Sequence, residues 1–598
     1  LIVGVALTLT VLWALGATWT TKSAHAAGIV STCDEASLLS ALSGGGVITF
    51  TCSGIITFTA APTTGIVIAS DTTIDGSGQS VILDGENARR IFNVDAGIKL
   101  TLKNVTVQRG FAIGDGGAIY SLGPLVLNNA RILSSTATGG SGRGGGAYAG
   151  NTLTTQDGEF RGNVADNGGG LYTNDVAQLN NTHFISNAAQ FSGGGMRSQN
   201  MLLLTGGEFR QNTASFGGGL DAALPATING AKFISNTATS SGGGATAGST
   251  LTLLGGEFRG NTSNEGGGLL LNAPALISGT LFISNTATGF GGGVSTSYGV
   301  TVTGSEFSRN AGDSGGGLTT RAGAQALIGY TNFFSNTART QGGGLRAFGA
   351  VTITGGEFRA NRSVSGTLSS TGGGLQSSAP TLVNGVLFND NFAYGEGGGM
   401  AVEGALTVLN TRFIRNRTTI NSTALLHSGT SNGRIVNSLF ADNRTPSSGA
   451  VIRLDAAGVV EVLHNTIAAP DPLSGRGIEI SGGAVGVTNT IVASYTTGLI
   501  QTGGAAYENY NLLFNLTMTR TGTFVGDSGA NDVVGGAPNF VNPANDDYHL
   551  VTGSAAINAG AITNVTTDID GEARPPGSAF DIGYDEFSQR VYLPLIVR

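Results

Sequence analysis

Short apolar runs of β type, LLLT from Leu202, TLTLL from Thr250, VTVT from Val300 and VTIT from Val351, recur along the middle of the chain, and the last two alternate strictly with threonine. Alternation over four or five residues sends every second side chain to one face, which predicts β-strands. Helical i, i+3, i+4 spacing is scarce, so helical repeats are disfavoured.

The runs belong to a longer repeat of which Gly206 to Leu220, GGEFRQNTASFGGGL, is a representative copy. Its phenylalanine recurs as Phe160, Phe184, Phe209, Phe233, Phe258, Phe282, Phe307, Phe333, Phe358, Phe388, Phe413 and Phe440, mostly 24 or 25 residues apart. Three positions after each stands an asparagine: Asn163, Asn187, Asn212, Asn236, Asn261, Asn285, Asn310 and onward to Asn443. Glycine triplets follow most of them, and GEF or SEF copies alternate with FISN copies, so two coil types alternate along one axis. A coil of about 24 residues divides into three strands joined by turns, and stacking coils at about 4.8 Å aligns identical side chains. The expected fold is all-β, a parallel β-helix of three sheets, with sixteen or so coils and a length of roughly 75 Å.

Each repeated residue then has an expected task. Phenylalanine lies inward between outward neighbours and fills the core. Asparagine suits a tight bend with positive φ, and its amide can donate and accept along a ladder. The glycines permit backbone angles and a coil approach that a Cβ would block. A phosphate cradle would require a helix N-terminus after the triplet, and none is readable.

The paired GGG-[LMAV] and FxxN signals between Val105 and Asn443 resemble the repeats of chlamydial polymorphic outer-membrane proteins, within the pectin-lyase-like right-handed β-helix superfamily. The resemblance implies a right-handed helix, and a fold that hosts adhesins, lyases and inert spacers alike. No run of strands sufficient for an outer-membrane barrel follows.

Outside the repeats, Leu1 to Trp19 is apolar and uncharged and Ala24-His25-Ala26 offers a cleavage site, so residues 1–26 read as a signal peptide, with a retained membrane anchor as the alternative. Cys33 and Cys52, the only cysteines, are expected to form a disulfide in an exported chain. CDEASLLSALSGGG between them reads as a short helix capped by Asp34 or Ser37, part of a cap and irregular first coils over 27–104. DG turns at Asp75 and Asp84 read as solvated turns in preference to calcium ligands. Regular coils are expected over 105–500, a capping or anchor-like module over 501–587 and a tail over 588–598.

Charges are sparse and patterned. Glu159, Glu208, Glu257, Glu306 and Glu357 precede phenylalanine in alternate coils, with Arg161, Arg210, Arg259 and Arg359 after it, while Ile185, Ile234 and Ile283 take the arginine position in the coils between. This reads as a self-compensating solvated face. Extra residues at 139–143, 362–371 and 417–425 all fall between the asparagine and the next strand, on one edge, where solenoids often bind. Asp390, Arg415 and Asp442 occupy one coil position in three consecutive turns, followed by Arg453, Asp455, Glu461 and His464. Asp390, Asp442 and His464 are the candidates for acid and base chemistry, but an ion-pair ladder is preferred because the arginine separates the carboxylates. The motif series of polygalacturonase-like enzymes is absent as a set.

Ala537 to Phe587, with NAG, DIDG-x-x-RP and DIG-Y-x-E, resembles the choice-of-anchor module that follows bacterial surface β-helices. Asp568, Asp570 and Asp581, with Asp585 and Glu586, are its candidate calcium ligands, set behind a turn-and-cap reading. With 99 Gly and 13 Pro in 598 residues and a net charge of −8, the chain has no basic footprint for nucleic acid and fits an extracellular solenoid with neutral partners such as glycans. No flat threonine ladder, the mark of a self-assembling or ice-binding layer, is read from the sequence. The expectation is a monomeric, exported, cell-surface or outer-membrane-associated protein, adhesin-like or structural, meeting glycans or other surfaces through coil-edge loops and needing no cofactor besides calcium at most. The second reading is a polysaccharide lyase or glycosidase.

Overall fold

The computed structural model describes residues 28–446 and 448–588. Residues 1–26, expected to be a signal peptide, and the apolar VYLPLIV near the end lie outside them. The described residues form a parallel β-helix with three parallel sheets of 20, 37 and 13 strands and one two-stranded antiparallel ribbon. The 20-strand sheet exceeds the sixteen or so coils expected, and at the usual strand spacing the rod is about 90 Å long.

The regular coil is divided more finely than three strands of four or five residues. In the coil from Leu202 the strands are Leu202–Thr205, Glu208–Arg210, Thr213–Phe216 and Leu220–Ala222. First strands make the 20-strand sheet and third strands the 13-strand sheet. Second and fourth strands form two columns of one sheet, because Thr466–Ile480 is a single strand pairing with both Leu439–Ala441 and Ala450–Ala456.

Phenylalanine pairs with phenylalanine in register from coil to coil. From Phe160 to Phe440 the rings form one buried column, with centroids 4.5–5.1 Å apart. Such offset stacking adds to the burial of each ring.

The asparagines do form a ladder, but they do not take the strained backbone. Positive φ falls on the residue before each one, such as Ser186, Gln211 and Ser235, and the asparagine itself turns inward with no exposure. There, Asn187 Nδ2 donates to Asn212 Oδ1 at 3.0 Å and to the Phe160 carbonyl at 2.9 Å, while Asn187 Oδ1 accepts from the backbone and side chain of Asn163. Two donors and two acceptor sites are all used, so a buried amide carries no unpaired polar atom. The ladder runs to Asn443.

In the triplets the first glycine bends the chain and the next two admit the neighbouring coil. Gly217 has φ +57, and a Cβ on Gly218 would lie 2.4 Å from the Gly243 carbonyl oxygen. At the N-terminal end the helix Glu35–Leu42, capped by Asp34 accepting from the Ser37 amide at 2.8 Å, buries Leu38 beside the first coils. Cys33 and Cys52 are disulfide-bonded. Asp84 departs from the solvated-turn expectation: it is fully buried and paired with Arg109, with Gln108 donating at 2.6 Å.

Candidate functional site

Asp390, Arg415 and Asp442 are the positive-φ residues that precede Asn391, Asn416 and Asn443, so one corner of three successive coils brings them into line. Arg415 stands between the carboxylates. Its Nε is 3.7 Å from Asp390, and one terminal nitrogen donates to both carboxylate oxygens of Asp546 at 2.7 Å. Arg417 and Arg444 approach Asp390 and Asp442 at 3.6 Å. Each carboxylate thus faces arginine, and the cation between them is bound to the C-terminal module.

His464 lies at a different corner, between the first and second strands of its coil, with φ 51. It is fully buried. Its Nε2 is 2.8 Å from Thr563 Oγ1, Asn489 Nδ2 lies 3.1 Å away, and Phe580 meets the ring edge-on. Burial drives its pKa down to about 2, aided by the nearby Arg574, so the ring is neutral. Arg415 and His464 are therefore two contacts of one docking surface.

That surface carries the C-terminal module along the flank of the helix. Ile414, Leu439, Ala468, Ile491 and Leu512 on the coils pack with Tyr548, Leu550, Ile582 and Tyr584. Parallel strand pairing itself continues through Val533–Val534 before the module begins.

Within the module, the calcium candidates part company. Asp568 accepts from the amides of Asp570, Glu572 and Glu586 at 3.0, 2.8 and 3.1 Å, and Asp581 from those of Asn558 and Phe587 at 2.6 and 2.7 Å. Both pin the backbone of turns. Asp570 instead joins His549 and Asp585, with one ligand atom of each within 4.8 Å of the others, beside a 660 Å³ cavity also lined by Asp547, Glu572 and Glu586.

His549 Nδ1 is 2.6 Å from Asp547 and Nε2 is 2.9 Å from Asp570. Burial pulls its pKa down, but Asp547, with Asp585 and Asp570, outweighs that, and the net shift is upward. Burial raises Asp585 to about 6 and Glu586 to about 7, the latter against the pull of Arg574. With Asp547 at one ring nitrogen and Asp570 at the other, the cluster favours the imidazolium form of His549, protonated on both nitrogens. A divalent ion could be held by His549, Asp570 and Asp585 only in exchange for that proton. Nothing in the sequence pattern joins His549 to the two aspartates; the antiparallel ribbon Phe540–Asn542 with Asp547–Leu550 brings it there.

The Glu-Arg face is a set of pairs within single strands, Glu208 with Arg210 at 2.6 Å and Glu357 with Arg359 at 3.6 Å, alternating with Ile185 and Ile283 at 8% and 9% exposure. The insertions all leave the helix beside third strands. The longest exposes Leu368 (66%) next to a hydroxyl row in which Ser365, Thr367 and Ser369 are linked at 2.8 and 2.7 Å.

No family model matches this chain, and no curated protein does. Among solved structures, the crystal structure of pectate lyase Pel9A aligns with 92% of this chain and 90% of its own at 12% identity, with a TM-score of 0.24. The fold assignment therefore stands on the strand pairing described above.

Proposed function

We propose that this chain is an exported cell-surface β-helix protein, adhesin-like or structural, that binds glycans or other surfaces through its coil-edge loops. The observation that carries the reading is the position of the three insertions, all on the third-strand edge, the longest combining an exposed leucine with a row of hydroxyls. Apolar faces of sugar rings and their hydroxyl rims call for that pairing. The disulfide fits an oxidising compartment. Kinship with polymorphic outer-membrane repeats, a choice-of-anchor role for the C-terminal module and surface retention belong to the same proposal. A lyase or glycosidase would need Asp390 and Asp442 free to act together, whereas both face arginines.

The test is a glycan array probed with the full chain and with a variant in which residues 364–370 are replaced by a two-residue turn. Retention of the wild type and loss in the variant, at unchanged thermal midpoint, supports the reading. Equal retention of both removes the longest insertion from it.

A further inference from the structure

The outer face of the 20-strand sheet is unlike the rest of the rod. In twelve consecutive first strands, from Leu125–Asn128 to Leu406–Leu409, no outward position carries a charged residue. The stretch is bounded by Lys99 and Lys103 on one side and by Arg434 and Glu461 on the other. The neighbouring second-strand face carries the Glu-Arg pairs instead.

Over the last six rungs of the neutral stretch the outward column has a two-coil rhythm, whereas earlier Thr227 and Thr252 both stand between Leu203 and Leu276. Register places Leu276 beside Thr301, Thr301 beside Leu327, Leu327 beside Thr352, Thr352 beside Leu382 and Leu382 beside Thr407. Leu203, Leu276 and Leu327 are exposed by 37%, 40% and 53%. A depression of 430 Å³ runs across four coils here, lined by Thr252, Leu276, Thr301 and Leu327 among others. Knobs and gaps therefore alternate about every 5 Å along the axis. This column is not a threonine ladder; the expectation that none exists is corrected on the third-strand face, where Thr213, Thr237, Thr262 and Thr286 are exposed in one register.

We propose that this neutral face is a self-association surface whose occupant is the same face of a second copy of this chain. Three features select that partner. A two-fold pairing sets one patch against a copy of itself, which a face of one charge sign opposes and this neutral one permits. Leucines of one copy meet threonine gaps of the other only if both carry the same period, and a second copy does so by construction. Twelve rungs of four-residue strands cover about 800 Å², which matches the area per partner of a standard stable interface.

The test is sedimentation equilibrium of the full chain at micromolar concentration. The proposal predicts a dimer, and predicts that Leu276→Lys with Leu327→Lys raises the dissociation constant on the order of a hundredfold, since lysines would be buried against one another. Because both leucines are solvent-facing in the single chain, circular dichroism of the variant, and its thermal midpoint at a dilution where both proteins are monomeric, stay those of the wild type. A control pair on the third-strand face, Thr213→Lys with Thr262→Lys, leaves the dimer intact. A wild type that sediments as a monomer overturns the proposal. So does a dimer that survives the leucine substitutions, or wild-type monomers whose binding to an insoluble neutral glucan is lost on those substitutions.

Discussion

Arg415 and Asp546, 131 residues apart in the chain, form a two-pronged ion pair in which one guanidinium nitrogen donates to both carboxylate oxygens at 2.7 Å. The arginine that separates the candidate carboxylates Asp390 and Asp442 thereby serves to hold the C-terminal module against the helix.

Arg415→Ala is expected to loosen that module by about 1–2 kcal/mol, a figure reduced because both side chains are about one-third exposed. Hydrogen exchange at Asp547–Leu550 is the readout. Faster exchange there with unchanged protection around Phe258 is the expected outcome, and unchanged exchange in the ribbon contradicts it.

Removing one rung of the asparagine ladder costs more. Asn236→Ala deletes donors to Asn261 and to the Phe209 carbonyl, and leaves the Asn212 backbone and side chain without their acceptor. Orphaned buried donors make this about 3–4 kcal/mol in urea unfolding. The exposed Thr239→Ala is expected to stay within about 0.5 kcal/mol.

Two glycine substitutions separate close packing from mere repetition. In Gly243→Ala the new Cβ would lie 2.3 Å from the Gly267 carbonyl oxygen, so neighbouring coils must part, whereas Gly486→Ala meets nothing within 4 Å. The first is expected to lower the thermal midpoint clearly. The second is neutral or stabilising by up to about 1 kcal/mol through the unfolded chain.

These contrasts also show what was legible in the sequence. The phenylalanine column follows from the period, because a residue repeated at coil length can only stack on its copies, and the disulfide was expected from the lone cysteine pair on the expectation of export. The bend was misassigned: asparagine marks the corner in sequence, yet the strained angle falls on the variable residue before it, since a glycine, serine, glutamine or aspartate can take positive φ while only the inward amide completes the ladder. Asp390, Arg415 and Asp442 were rightly aligned, but their partner Asp546 is distant in the chain. His549 was missed for the same reason, because a fold without repetition leaves no period to join it to Asp570 and Asp585.

His549 gives the C-terminal module a definite pH response. Its folded-state pKa lies above the ordinary 6.5, so its contribution is complete below about 6.5 and is lost as pH rises through the folded value. The difference in thermal midpoint between wild type and His549→Gln is therefore expected to be largest below pH about 6.5 and to shrink above it. The buried neutral His464 adds an opposite acid sensitivity that is common to both proteins and cancels. A difference that is constant or grows with pH contradicts the assignment.

The account rests most heavily on Asp390 and Asp442 being corner residues held by arginines rather than a catalytic pair, and a polyuronate cleavage assay with calcium tests this most directly. The prediction is no formation of unsaturated or hydrolysed product above buffer by the full chain, alongside its retention on the glycan array. Turnover that vanishes in Asp390→Ala or Asp442→Ala would contradict it.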